Sequence, residues 1–263
     1  MLKSFMLKIA SVFLFLGLIV SGCGSSENSD VTLYVVRHGK TMLNTTDRVQ
    51  GWADAVLTPA GEQVVGYTAT GMKDIPFTLA YSSDSGRAIQ TANFILAKNV
   101  KSDVKLKTDW RLREFNFGSY EGDLNHTMWN DIAASKGKTV EEWMADGFTP
   151  ESFANAVAEL DKVRVTPGEN WPAEDYATIS NRLREGLQDI IAEARSSGGG
   201  NVLIVSHGLS IGALVSMLDP DAVLPAGGVK NASVTKIVYQ DGNYHVTDVG
   251  DLSYMENGKA SGD

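Results

Sequence analysis

The sequence predicts an α/β fold of three layers (α/β/α): a mostly parallel, doubly wound sheet with helices on both faces and a helical insertion over the site. Two observations carry this expectation. From Val31 onward, short strand-like runs alternate with helix-like segments, a pattern that favours parallel strands joined by helical crossovers. Two of those runs, "LYVVRHG" at 33–39 and "LIVSHG" at 203–208, end alike in a histidine and a glycine.

The elements follow in order. "VTLYVV" (31–36) is β-branched and aromatic, the composition of a buried strand. Thr58 and Pro59 open a helix over 58–72, because a hydroxyl can cap the first turn and proline fits its first position. "PFTLAY" (76–81) is a second strand, Ser85–Lys98 a second helix, and "DVKLK" (103–107) a third strand. Apolar residues at helical spacing run from Trp171 to Arg195, and "GGGNVLIVSHG" (198–208) gives a buried strand after a glycine break. "ASVTKIVYQDGNYHVTDV" (232–249) forms a terminal hairpin turning at Asp241 and Gly242.

With 263 residues, 43% of them hydrophobic, the chain can bury a sizeable core in one large or two small domains. A net charge of -9 and a pI near 5.0 argue against general nucleic-acid binding, although a basic pocket can sit inside an acidic shell. Lys3 and Lys8 precede an apolar run from Ile9 to Val20 that closes on "VSGC", the build of a secretory leader over residues 1–22. The rival is a single uncleaved transmembrane helix, for which that run is short.

Cys23 is the only cysteine, so no intramolecular disulfide and no cysteine metal cluster can form. "VSGC" resembles the lipobox of bacterial lipoproteins, which implies lipidation at Cys23, a membrane anchor and an extracytoplasmic location at the cell envelope. A stray thiol beside an ordinary cleavage site is the alternative. Residues 23–30 are polar, a flexible tether to a folded body over 31–263.

Ligands of doubly wound sheets gather at the carboxyl ends of the strands. Arg37 and His38 follow the first strand, Arg87 lies early in the helix after the second, and His207 follows "NVLIVS". Two guanidiniums, a second imidazole and a helix N-terminus capped near Asp84 suit a dianionic phosphate. His126 and His245 lie in polar or hairpin contexts and are expected at the surface.

The chain resembles the histidine phosphatase superfamily, on the branch that includes cofactor-dependent phosphoglycerate mutases. The matching residues are "RHGKTMLN" (37–44), "RVQGWADAVLTPAG" (48–61), "SSDSGRAIQTA" (82–92), "LREFNFGSYEG" (112–122) and "SHG" (206–208). The resemblance implies that His38 attacks phosphorus and becomes a phosphohistidine, and that Arg37, Arg87 and His207 hold the phosphoryl oxygens. It implies that Glu114 donates a proton to the leaving oxygen and then activates water. Asn44 would bond the phosphate, and Gln50 and Gly51 would line the substrate side. It implies neither cofactor nor metal. Lys40 stands where many mutases carry an acid, and "LREFNFGSYEG" reads closer to phosphatase members.

The segment from about 123 to 169 carries Trp129, Trp143, Phe148 and Phe153 on patchy helical spacing. They either shape a pocket over the phosphate or only glue the insertion to the core. Three functions compete: a phosphomonoesterase acting on a small organic phosphate, a glycerate mutase primed by a bisphosphate, and a surface binding module with a degenerate site. The full set of expected catalytic residues favours the first, and the leader argues against the second, whose bisphosphate pool is cytoplasmic.

Overall fold

A computed structural model describes residues 29–164 and 168–262 of the chain. The expected leader, Cys23 and most of the expected tether lie outside the described residues. In chain order the elements are β1 (Val31–Arg37), α1 (Met42–Thr45), α2 (Pro59–Gly71), β2 (Phe77–Ser82), α3 (Gly86–Lys98) and β3 (Leu106–Thr108). Then come α4 (Asn125–Ser135), α5 (Val140–Ala145), α6 (Pro150–Arg164), α7 (Tyr176–Ser196), β4 (Gly200–Ser206) and α8 (Gly208–Leu218). The chain closes with β5 (Val234–Gln240), β6 (Asn243–Asp251) and α9 (Ser253–Ala260).

The six strands form one sheet in the order β3-β2-β4-β1-β5-β6. Pairings among β3, β2, β4 and β1 are parallel; β5 joins β1, and β6 joins β5, antiparallel. Both faces are buried, as the apolar runs require. Leu33, Val35, Val202, Ile204 and Ile237 pack on one face with Leu183, Ile190 and Leu214 of α7 and α8. Val36, Leu203, Val205 and Ala80 pack on the other with Ala69, Ala88, Ala92 and Ile95 of α2 and α3. The three-layer α/β expectation therefore holds.

Local chemistry sets the boundaries. Thr58 caps α2, its hydroxyl accepting from the Gly61 N–H at 3.0 Å. The hairpin turn has positive φ at both Asp241 (51°) and Gly242 (84°), as a tight two-residue turn demands.

Three expectations need correction. The third strand is Leu106–Thr108 rather than 103–107, because only those residues pair with Ala80–Ser82. The long helix starts at Tyr176, not Trp171: Asp175 is its N-cap, accepting from the Thr178 N–H, and Pro172 lies outside it. Asp84 does not cap α3; it binds Arg113 instead, and Ser85 takes the N-cap position without a side-chain bond.

Helix α9 was not anticipated. It crosses α2 so closely that a Cβ at Gly71 or Gly258 would collide with the other helix's backbone.

The 123–164 stretch forms α4, α5 and α6. Their aromatic residues make one cluster: Trp129 stacks on Phe153 with ring centres 4.9 Å apart, and Trp143, Phe148 and Phe117 join at 5.6 to 6.4 Å. Among the described residues no helix is long and apolar enough to cross a membrane.

Candidate active site

The register of β1 against β4 builds the centre. Arg37 pairs with Ser206, so the next residues, His38 and His207, leave adjacent parallel strands together. The His38 N–H bonds the Ser206 carbonyl at 3.0 Å, and the two imidazole centres lie 5.1 Å apart. On the other side of β4, the Ser83 N–H bonds the Val205 carbonyl at 3.0 Å, so β2 delivers Ser83 to the same edge.

His38 is 3% exposed and His207 fully buried. Nδ1 of His38 lies 2.7 Å from the Gly39 carbonyl oxygen, which can only accept. Nδ1 therefore carries the hydrogen, and Nε2 keeps its lone pair. Burial, then the charges of Arg87 and Arg37, hold the His38 pKa well below its ordinary value. His207 is pushed the same way by burial first, with Arg87, His38, Arg182 and Arg37 adding to it. Both rings are thus neutral near pH 7, the form in which an imidazole can act as nucleophile. Nε2 of His207 sits 2.7 Å from the Ser83 hydroxyl. With that hydroxyl donating, the other ring nitrogen bears the hydrogen.

Arg87, at the start of α3, is fully buried and aimed by the 51–54 loop. Its Nη2 donates to the Gly51 carbonyl at 2.7 Å, and its Nη1 to the Ala53 carbonyl and to Asp54 at 3.1 and 2.8 Å. That loop is shaped by Glu121, whose carboxylate accepts the N–H groups of Gly51, Trp52, Ala53 and Phe117. Gly51 is itself buried, and a Cβ there would collide with the Phe115 carbonyl. It therefore serves through its backbone, as an acceptor for Arg87. Arg37 donates from Nη1 to the Val229 carbonyl at 2.5 Å.

Glu114 is 7% exposed. Its carboxylate takes the Leu209 and Ser210 N–H groups of the first turn of α8 at 3.0 and 2.9 Å, the Ser210 hydroxyl at 3.0 Å and the Phe115 N–H at 3.1 Å. Asn44 closes a capping box on Thr41, and Gln50 accepts from the Thr41 hydroxyl at 2.6 Å.

Four buried side-chain nitrogens in this region lack a protein partner: Arg37 Nε, Arg87 Nε, His207 Nδ1 and Gln50 Nε2. Buried donors are rarely left unpaired, so each of the four is open to an acceptor that the protein does not supply. Beside Arg37 and Gln50 opens a cavity of about 260 Å³, lined also by Asn44 and Glu114 and by apolar groups including Phe117, Met128, Trp129 and Phe153. The aromatic cluster thus does both things that the sequence allowed, gluing the helices and walling the pocket. His38, Arg87, His207 and Gly51 do not line this cavity. A larger cavity, about 480 Å³ between α6 and α7, is flanked by Glu159, Asp161, Glu174 and Asp175; those carboxylates repel a phosphate. Among the described residues no group of three or more His, Cys, Asp or Glu is arranged to hold a metal ion.

Comparison with known proteins agrees with this geometry: the sequence pattern of the "Histidine phosphatase superfamily (branch 1)" matches residues 33–252. The chain belongs to the histidine phosphatase superfamily. A solved structure described as a phosphoglycerate mutase from Bacillus anthracis is 45% identical, covering 88% of this chain and 98% of that one, with a TM-score of 0.81. A probable phosphoglycerate mutase GpmB from Escherichia coli is 30% identical over 245 residues, 85% of this chain and 94% of the relative. A mycobacterial glucosyl-3-phosphoglycerate phosphatase shares the fold at 22% identity, covering 85% and 99% of the two chains, with a TM-score of 0.62.

Among superfamily members, mutase or phosphatase chemistry is the activity that the chain's neighbours carry in their names. Sequence reasoning missed Ser83, Asp54 and Glu121 as parts of the site. All three lie within the quoted motifs, and only their contacts mark them. His126 and His245 are both exposed.

Proposed function

We propose that the protein is a phosphomonoesterase that hydrolyses a small organic phosphate through a phosphohistidine at His38. The unpartnered nitrogens of Arg37, Arg87, His207 and Gln50 around two buried, neutral imidazoles carry this reading. A phosphoryl group bound there meets donors fixed in advance, which stabilise the charge that builds in the transition state.

In this reading the lone pair of His38 Nε2 forms a bond to phosphorus as the ester P–O bond breaks. The leaving oxygen takes its proton from the carboxyl of Glu114. Water then attacks the phosphohistidine and gives a proton to the Glu114 carboxylate; the N–P bond breaks and inorganic phosphate departs. No metal or cofactor takes part. The apolar wall of Phe117, Met128, Trp129 and Phe153 favours an ester with a partly apolar organic group.

The likeness to the B. anthracis protein favours a second reading, phosphoryl transfer between hydroxyls of a glycerate. That reaction handles a carboxylate or a second phosphate besides the transferred group. Among the described residues, the cation that lines the cavity besides Arg37 is Arg48, an exposed residue already bonded to the Gly122 carbonyl. A surface binding module is disfavoured because none of the expected catalytic side chains is missing. The deciding assay supplies 3-phosphoglycerate with a bisphosphate primer, alongside sugar, nucleotide and inositol phosphates, with and without a chelator. Released phosphate insensitive to chelation supports the esterase; isomerised glycerate without release supports the mutase and refutes it.

We also propose lipid anchoring through Cys23 at the cell envelope. β1 begins at Val31, where the tether would join, and carries Arg37 at its far end, roughly 20 Å along the strand. Metabolic labelling with a fatty acid should mark the full chain and not the Cys23→Ala variant; equal label in both excludes that anchor.

A further inference from the structure

Arg182, on α7, is 4% exposed and touches no part of the cavity. Its fork is nonetheless directed at the segment that carries Glu114. Nη1 donates to the carbonyls of Arg111 and Arg113 at 2.9 and 2.8 Å, and Nη2 to the carbonyl of Glu114 at 2.9 Å. Nε and Nη2 also form a two-point bond with Glu174, both at 2.7 Å. Glu174 in turn accepts the Asn116 N–H and donates its own N–H to the Asn116 carbonyl, each at 3.0 Å.

Residues 111–116 are therefore gripped on both sides of Glu114. Three converging carbonyls make a negative pole that one planar, five-donor cation satisfies, and lysine cannot reproduce that fork. Burying such a pair is seldom a net gain in stability compared with apolar packing, so stability alone does not account for it. The carboxyl end of Glu114 is fixed separately by α8, and the two grips together define where it points.

We propose that Arg182, paired with Glu174, is a positioning residue that aims the Glu114 carboxyl at the leaving oxygen. The proposal rests on the reading of Glu114 as proton donor. A misplacement of about 1 Å far from the chemistry can cost about a hundredfold in rate.

The test measures kcat/KM of the full chain over monoesters graded from aryl to alkyl leaving groups. Arg182→Lys keeps the charge and loses the fork; Glu174→Gln keeps the shape and weakens the pair. Both should lower alkyl turnover about tenfold to a hundredfold while aryl turnover changes little, steepening the leaving-group dependence as Glu114→Gln does. In the Glu114→Gln background, Arg182→Lys should add no further steepening. Equal losses across the series, or additive steepening in the double variant, overturn the proposal. Should Arg182→Lys fail to fold, Glu174→Gln decides by the same criterion. Steepening in Glu114→Gln but in neither other variant refutes only the role of Arg182; a flat series in all three removes the donor role of Glu114 and the proposal with it.

Discussion

His38 and His207 face each other with ring centres 5.1 Å apart and planes inclined by 59°. Neighbouring parallel strands paired in register place them so, and both rings share the field of Arg37 and Arg87. The arginines that would bind a phosphate also disfavour protonation of the group that would attack it. On the proposed reading, one cluster of charge would serve recognition and nucleophile activation together.

A dependence of stability on pH follows. Each histidine has a folded pKa well below about 6.5, its value in the unfolded chain. Between those two values the unfolded state binds the extra proton, so stability rises with pH through that window, is fully present above about 6.5 and is lost as pH falls below it. Each ring contributes a slope of up to about 1.4 kcal/mol per pH unit. Urea titrations of His207→Gln between about pH 6 and about pH 5 should show a shallower pH dependence than the native chain; parallel curves would contradict neutral burial of His207.

Glu114→Gln keeps the shape of the side chain and removes its acidic proton. Alkyl phosphates should lose about a hundredfold to ten-thousandfold in kcat/KM and aryl phosphates much less, because a phenolate leaves without full protonation. Equal losses on both would take Glu114 out of the donor role.

Arg87→Lys should weaken binding of inorganic phosphate or vanadate by about tenfold to a hundredfold, since a point charge replaces a fork bonded to Gly51, Ala53 and Asp54. Inhibition constants measure this directly, and unchanged constants would remove Arg87 from the anion site.

Much of this was legible in the sequence, for reasons that particular residues make plain. His38 and His207 stand out because apolar strands end on them and glycines follow; a Cβ at Gly208 would come within 3.2 Å of the Arg37 guanidinium, close enough to nudge it. Arg87 and Glu114 were reachable through the motifs around them. The supports were not legible. Glu121 acts on N–H groups of residues 51–53, and Arg182 on the carbonyls of Arg111, Arg113 and Glu114. Such side-chain-to-backbone contacts leave no periodic trace in a sequence. Asp84 misled because an acid just before a helix resembles a cap, whereas Arg113 of a distant segment claims it with two bonds.

The aromatic cluster should matter for both stability and selectivity. Phe153 is 1% exposed among Phe117, Trp129, Trp143 and Phe148, and Phe153→Ala should cost about 3–5 kcal/mol in urea unfolding. A loss below about 1 kcal/mol would mean that the helices close over the gap. Trp129→Ala should change relative kcat/KM among esters of different bulk more than it changes turnover of the smallest one.

The most direct measurement traps the covalent intermediate. The protein is mixed with a radiolabelled phosphate monoester, quenched in alkali, where phosphohistidine survives, and digested for peptide mapping. The account predicts label, and an added phosphoryl mass, on the peptide containing His38, with none in His38→Ala, whose turnover of an aryl phosphate should fall about a thousandfold or more. Rapid turnover without label, label on another residue, or near-normal rates in His38→Ala would contradict it.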